Sequence, residues 1–98
     1  MKTLANCEEQ ILMVVYKKKE APALRDVMDA ANQLYGKDWK PQTISTFLNR
    51  CVTKGYLTMQ KKGRYCYYYP VISLDEYQKL RFKEMRTLLY SSDSDLMR

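Results

Sequence analysis

Lys40 to Leu57, KPQTISTFLNRCVTKGYL, decides the fold. Pro41 belongs in the first turn of a helix, where its missing N–H leaves nothing unsatisfied. Apolar residues then recur at Ile44, Phe47, Leu48, Cys51 and Val52, the spacing of one buried stripe. Gly55 stands where a left-handed residue closes a helix, and Lys54 before it complements the negative end of the dipole. The outer face carries Gln42, Thr46, Asn49 and Thr53, flanked by Thr43, Ser45 and Arg50. Solvated helix faces are ordinarily filled with strong helix formers such as Glu and Lys. This one has no acid; its short hydroxyls and amides suit base edges, and its arginine suits guanine or phosphate. The stretch reads as a recognition helix.

Upstream, Pro22 ends an extended link, and a helix is expected over residues 23–35, burying Leu24, Val27, Met28, Ala31 and Leu34, with Gly36 as its cap. A short turn, Lys37 to Lys40, separates it from Pro41, the layout of a helix-turn-helix. Trp39 is read as a plug over that corner in preference to an exposed stacker, since tryptophan is mostly buried. The first helix is expected from Asn6, capped by Asn6 with Glu9 three residues on, with Cys7, Ile11, Val14 and Val15 inward and Lys17 to Lys19 at its end.

Downstream of Gly55 the period changes from 3.6 to 2. Residues 56–60 read as a strand with Leu57 and Met59 inward, Lys61 to Gly63 as the turn, and residues 64–69 as the return strand, stopped by Pro70. The tyrosines of the return strand are good strand material. Alternation leaves only about half of them on one face, so packing is preferred over stacking on single-stranded bases. The tip, KKGR, is a basic wing beside the recognition helix. Ser73 then opens a last helix with a capping box to Glu76. Leu74, Tyr77, Leu80, Phe82, Met85, Leu88 and Leu89 cover an arc wider than one packing face needs, so part of it is assigned to a second chain. A helix wrapped wholly on its own core is the alternative.

The 98 residues make one fold, mainly α with a small β-hairpin: a winged helix-turn-helix over 1–70 and a C-terminal amphipathic dimerisation helix with its tail over 71–98. Five bases and five acids balance in residues 1–36, and five and five again in 66–98. Residues 37–65 hold seven bases against Asp38, so the whole formal charge of +6 lies on the recognition helix and wing. That concentration is a nucleic-acid footprint rather than a generally solvated basic patch. The chain has no His, and its three glycines are isolated, so no acid–base pair, phosphate loop or activated nucleophile is offered and an enzyme is not expected. Cys7, Cys51 and Cys66 form no close pair, so neither a metal site nor any other cofactor is expected. Their odd number, the lack of an apolar signal region and the lack of a membrane-length apolar run point to a reducing, cytoplasmic compartment without membrane contact.

The order NCEEQILMVVYKK, APALRDVMDAANQ, WKPQTISTFLNRCVTKGYL and KKGRYCYYYP resembles the penicillinase-repressor family (BlaI, MecI and CopY) over about residues 4–90. Its sharpest part is the P-x-T-I-x-T-x-L-x-R-x-x-x-K-G-x-L pattern of Pro41 to Leu57. The resemblance implies a homodimeric repressor on a palindromic double-stranded DNA operator. Gln42, Thr43, Ser45 and Thr46 would face the major groove, with Arg50, Lys54, Lys61, Lys62 and Arg64 on phosphates and Lys40 and Asn49 completing the DNA-binding set. A membrane sensor protease that triggers C-terminal cleavage enters by family analogy alone. Three departures stand out. The clustered cysteines of the copper-responsive branch are missing, the cleavage-site residues find no match, and family members usually continue into further dimerisation helices. The chain is accordingly either a piece of a longer protein or a short variant. The rival class is a winged-helix protein-interaction module without specific DNA binding.

Overall fold

A computed structural model of the chain describes residues 3–83. Three helices come first: α1 (Asn6–Lys17), α2 (Leu24–Tyr35) and α3 (Pro41–Thr53). Two antiparallel strands follow, β1 (Leu57–Lys62) and β2 (Tyr65–Pro70), and residues 74–83 form a fourth helix, α4. This is a winged helix-turn-helix. Ile11, Leu12, Val14 and Val15 from α1, Val27 and Ala31 from α2, and Ile44, Leu48 and Cys51 from α3 meet in one core, roofed by Leu57 and Tyr68 of the hairpin. An isolated bridge, Ala23 to Tyr67, and the Tyr68 N–H donated to the Pro22 carbonyl at 3.0 Å fasten the hairpin to the start of α2.

The end of α3 is a Schellman motif. Gly55 adopts φ +92°, its N–H donates to the Val52 carbonyl at 3.0 Å, and the Tyr56 N–H reaches back to the Cys51 carbonyl at 2.9 Å. Tyr56 is thereby buried, and the chain turns directly into β1. The α2–α3 corner is fixed by Asn32, whose side-chain oxygen accepts the Trp39 N–H at 2.9 Å while its amide donates to the Trp39 carbonyl at 3.0 Å. Trp39 packs half-buried on the core, edge-on to Phe47 with ring centroids 5.5 Å apart.

Several local expectations are corrected. The cap of α1 is Ala5 rather than Asn6, and it is Glu8 that accepts the Ala5 N–H, at 3.1 Å. Asn6 is already helical. Ile11, Val14 and Val15 are buried as expected and are joined by Glu8 and Leu12, while Cys7 is half-exposed. On α2 the inner track is Val27, Ala31 and Tyr35, a four-residue spacing that leaves Leu34 49% exposed. The wing turn is shorter than KKG. Lys62 pairs with Tyr65, so the loop is Gly63 and Arg64 alone, and Gly63 at φ +64° followed by a residue of negative φ has the signs of a type II′ turn. Met59 lies on the helix side of the hairpin with Leu57, as expected, but beyond the edge of the core, where it is 48% exposed. The capping box of α4 forms as read, with the Glu76 N–H donating to Ser73 Oγ at 3.1 Å. Of the residues assigned to a second chain, Tyr77 instead turns inward, 3% exposed, against Tyr16 and Tyr56. Leu74, Leu80 and Phe82 are exposed, and Met85, Leu88 and Leu89 lie outside the described residues.

Candidate nucleic-acid interface

With Ile44, Leu48 and Cys51 buried, the opposite side of α3 must face outward. Gln42, Thr46, Asn49, Arg50 and Thr53 are exposed there, and Thr43 and Ser45 are half-buried beside them. No acid stands on this face. The Thr46 hydroxyl donates to the Gln42 carbonyl at 3.0 Å, one turn back. Its proton is occupied, and what it offers a ligand is the oxygen's acceptor lone pairs and a methyl group. Lys40 at the start of α3 pairs with Asp38 at 3.2 Å, both side chains being largely exposed, so the pair is worth little and yields readily.

Cross-strand pairing decides where the wing cations point. Partners in an antiparallel ladder share a face, and faces alternate along the strand. Leu57, Met59 and Lys61 lie on the side of buried Tyr68, toward the helices; Lys62 lies on the reverse, with Tyr65, Tyr67 and Tyr69. The Lys62 ammonium sits 5.6 Å from the centroid of the Tyr69 ring, and its contact with that side chain raises its pKa above the ordinary lysine value. Lys61 and Arg64 form no ion pair among the described residues. The two neighbouring lysines, equivalent by sequence, are therefore split between faces.

A groove of about 680 Å³ runs between α3 and the wing. Ser45 and Asn49 form one wall; Arg64, Tyr65, Cys66 and Tyr67 form the other, and the first turn of α2, with Arg25 and Asp26, closes the end. Arg25 was not identified from sequence. A signal was present, since a cation in the first turn of a helix opposes the macrodipole and gains nothing locally. Asp26 fills the ordinary role there, accepting the Ala23 N–H at 3.1 Å. Tyr65, 61% exposed, is the second residue the sequence reading did not place at the site.

The trailing end of α3 differs from the rest. Lys54 Nζ lies 2.6 Å from Glu8 Oε1 and also donates to the Thr3 carbonyl at 3.2 Å; Arg50 Nη1 lies 3.5 Å from Glu8 Oε2. Glu8 is 2% exposed, the one buried charged residue among those described. Burial alone would raise its pKa, but the Lys54 and Ala5 hydrogen bonds, the Lys54 charge and Arg50 outweigh it and hold the carboxyl below its ordinary value. Cys51 donates to the Glu8 carbonyl at 3.5 Å, and burial pushes its thiol up to about 12, with the Glu8 charge adding to this and Lys54 opposing it. This thiol is core, not a nucleophile. Among the described residues no cluster of His, Cys, Asp or Glu has the makings of a metal site, and no helix is long and apolar enough to cross a membrane.

A family model described as penicillinase repressor matches residues 4–97. The chain belongs to the penicillinase repressor family. Among the relatives of this family member, the methicillin resistance regulatory protein MecI of Staphylococcus aureus strain N315 is 27% identical over 86 residues, 88% of this chain. The same protein from Mammaliicoccus sciuri is 26% identical over a stretch of equal length. The chain spans 65% of the length of these curated relatives. The solution structure of the DNA-binding domain of the repressor BlaI matches 76% of this chain and 90% of its own, at 28% identity and a TM-score of 0.62. Monomeric BlaI of Bacillus licheniformis in complex with the blaP half-operator matches 78% of this family member and 89% of its own chain, at 28% identity and a TM-score of 0.59.

Proposed function

We propose that the chain is a sequence-specific DNA-binding repressor, not an enzyme, acting as a homodimer on a palindromic operator. The observation that carries this reading is the acid-free outer face of α3 beside the cationic wing, in a member of a family whose relative BlaI has been solved on a half-operator. In this reading α3 enters the major groove, with Gln42, Thr43, Ser45, Thr46 and Asn49 toward base edges. Lys40, Arg50, Lys61, Lys62 and Arg64 hold phosphates, Lys61 and Arg64 most directly because they share the α3 side of the wing or its tip. Arg25 joins them from the far end of the groove. The exposed part of α4, with Leu74, Leu80 and Phe82, is assigned to the contact between two copies, whose recognition helices would then meet half-sites ~34–36 Å apart.

The test is a salt titration of binding to the DNA upstream of the protein's own gene against a scrambled duplex. The reading requires a preference for the first and a steep fall of affinity with salt. A footprint then measures the half-site spacing. Absence of any duplex binding would transfer the α3 face to a protein partner and end this assignment.

A further inference from the structure

We propose that Glu8 is an internal counter-anion of the DNA face, which withdraws Lys54 from phosphate contact and so limits sequence-independent binding. The inference rests on the DNA-binding reading. Lys54 stands at the end of the recognition helix, at a position where the family resemblance implies a phosphate cation. Its ammonium is nevertheless engaged twice within the protein, by Glu8 Oε1 at 2.6 Å and the Thr3 carbonyl at 3.2 Å, and only 23% of its side chain is exposed. To reach a phosphate it would have to leave Glu8 buried with its principal partner gone, a loss that a screened contact at the protein surface does not repay. Arg50 is placed differently. Its contact with Glu8 is long, at 3.5 Å, and its side chain is 59% exposed, so most of its donors stay available to DNA. Glu8 thus divides two cations that look alike in sequence: Lys54 ties α3 to α1, and Arg50 remains on the binding face.

The slope of log affinity against log salt counts phosphates neutralised, and a purely structural role does not change that count in the folded protein. With a scrambled duplex as the probe, Lys61→Ala is expected to reduce the slope by about 0.9, while Lys54→Ala leaves it at the wild-type value. Glu8→Gln keeps an acceptor for the Ala5 N–H but releases Lys54, so the slope should steepen by about 0.9 and random-duplex affinity should rise. Adding Lys54→Ala to Glu8→Gln should cancel the gain. A slope reduction for Lys54→Ala equal to that of Lys61→Ala overturns the proposal, as does an unchanged slope in folded Glu8→Gln. Should these variants not fold, the wild type decides by carbon NMR of the Glu8 carboxyl with and without duplex. The same low titration point in both states supports the proposal; a rise on binding shows that Lys54 has moved to phosphate and overturns it. Wild-type protein that binds no duplex would instead remove the DNA reading, and this inference with it.

Discussion

Thr46 faces outward from the middle of α3, and its hydroxyl proton is already given to Gln42. What remains for a base is the methyl group, suited to a thymine methyl, and the acceptor lone pairs of the hydroxyl oxygen. Thr46→Ala should therefore leave stability almost untouched and reduce discrimination between operator and scrambled duplex by ~1–3 kcal/mol. Equal losses on both duplexes in a binding titration would refute that assignment. Asn32 is the converse case, structural rather than recognitive. Asn32→Ala strips both partners from the Trp39 backbone and should cost ~1–3 kcal/mol in denaturant unfolding. Faster exchange of the Trp39 amide hydrogen would accompany it. Glu8 makes the fold acid-sensitive. Its folded pKa lies below the unfolded value, so its contribution is complete above about pH 4.3 and is lost as pH falls through the folded value. Glu8→Gln should be less stable than wild type at neutral pH, with the gap closing in acid; a pH-independent gap would contradict this.

Among the elements, the wing turn is the most exacting. Gly63 holds φ +64° with open space around it, so Gly63→Ala meets strain but no clash. The expected cost is ~1–2 kcal/mol, read as a lower thermal midpoint with the fold unchanged by circular dichroism. The type of every element was legible in the sequence, because periodicity, Pro41, Gly36, Gly55 and the Ser73 box are local signals. The wing register was not: Lys61, Lys62 and Gly63 look like a three-residue turn, yet ladder pairing continues to Lys62 and Tyr65 once Gly63 alone supplies the reversal. Nor was the Glu8–Lys54 pair legible, its members standing 46 residues apart, and without it Lys54 reads as one more free cation. The exposed face of α3 was readable because its inner stripe is unambiguous. Arg25 and Tyr65 were missed because their place at the site depends on how α2 and the hairpin meet.

For the molecule as a whole, tyrosine replaces much of the aliphatic packing a larger core would supply. Tyr16, Tyr35, Tyr68 and Tyr77 are all raised above the ordinary phenol pKa, with burial the largest cause for each. A raised phenol stabilises the fold fully below about pH 10 and loses that contribution as pH rises through the folded value. Alkaline unfolding should accordingly begin above pH 10, and Tyr77→Phe should delay it; an unchanged alkaline midpoint would show that Tyr77 does not drive it. The division of α3 into a buried stripe and an outer face has one more implication. Gln42, Thr46 and Asn49 carry no part of the core, while Pro41, the stripe and Gly55 hold the helix in place without them. The lettering of the helix is thus separable from its mounting: a lineage, or a combinatorial library varied at these three positions, can explore new target sequences while the scaffold stays folded.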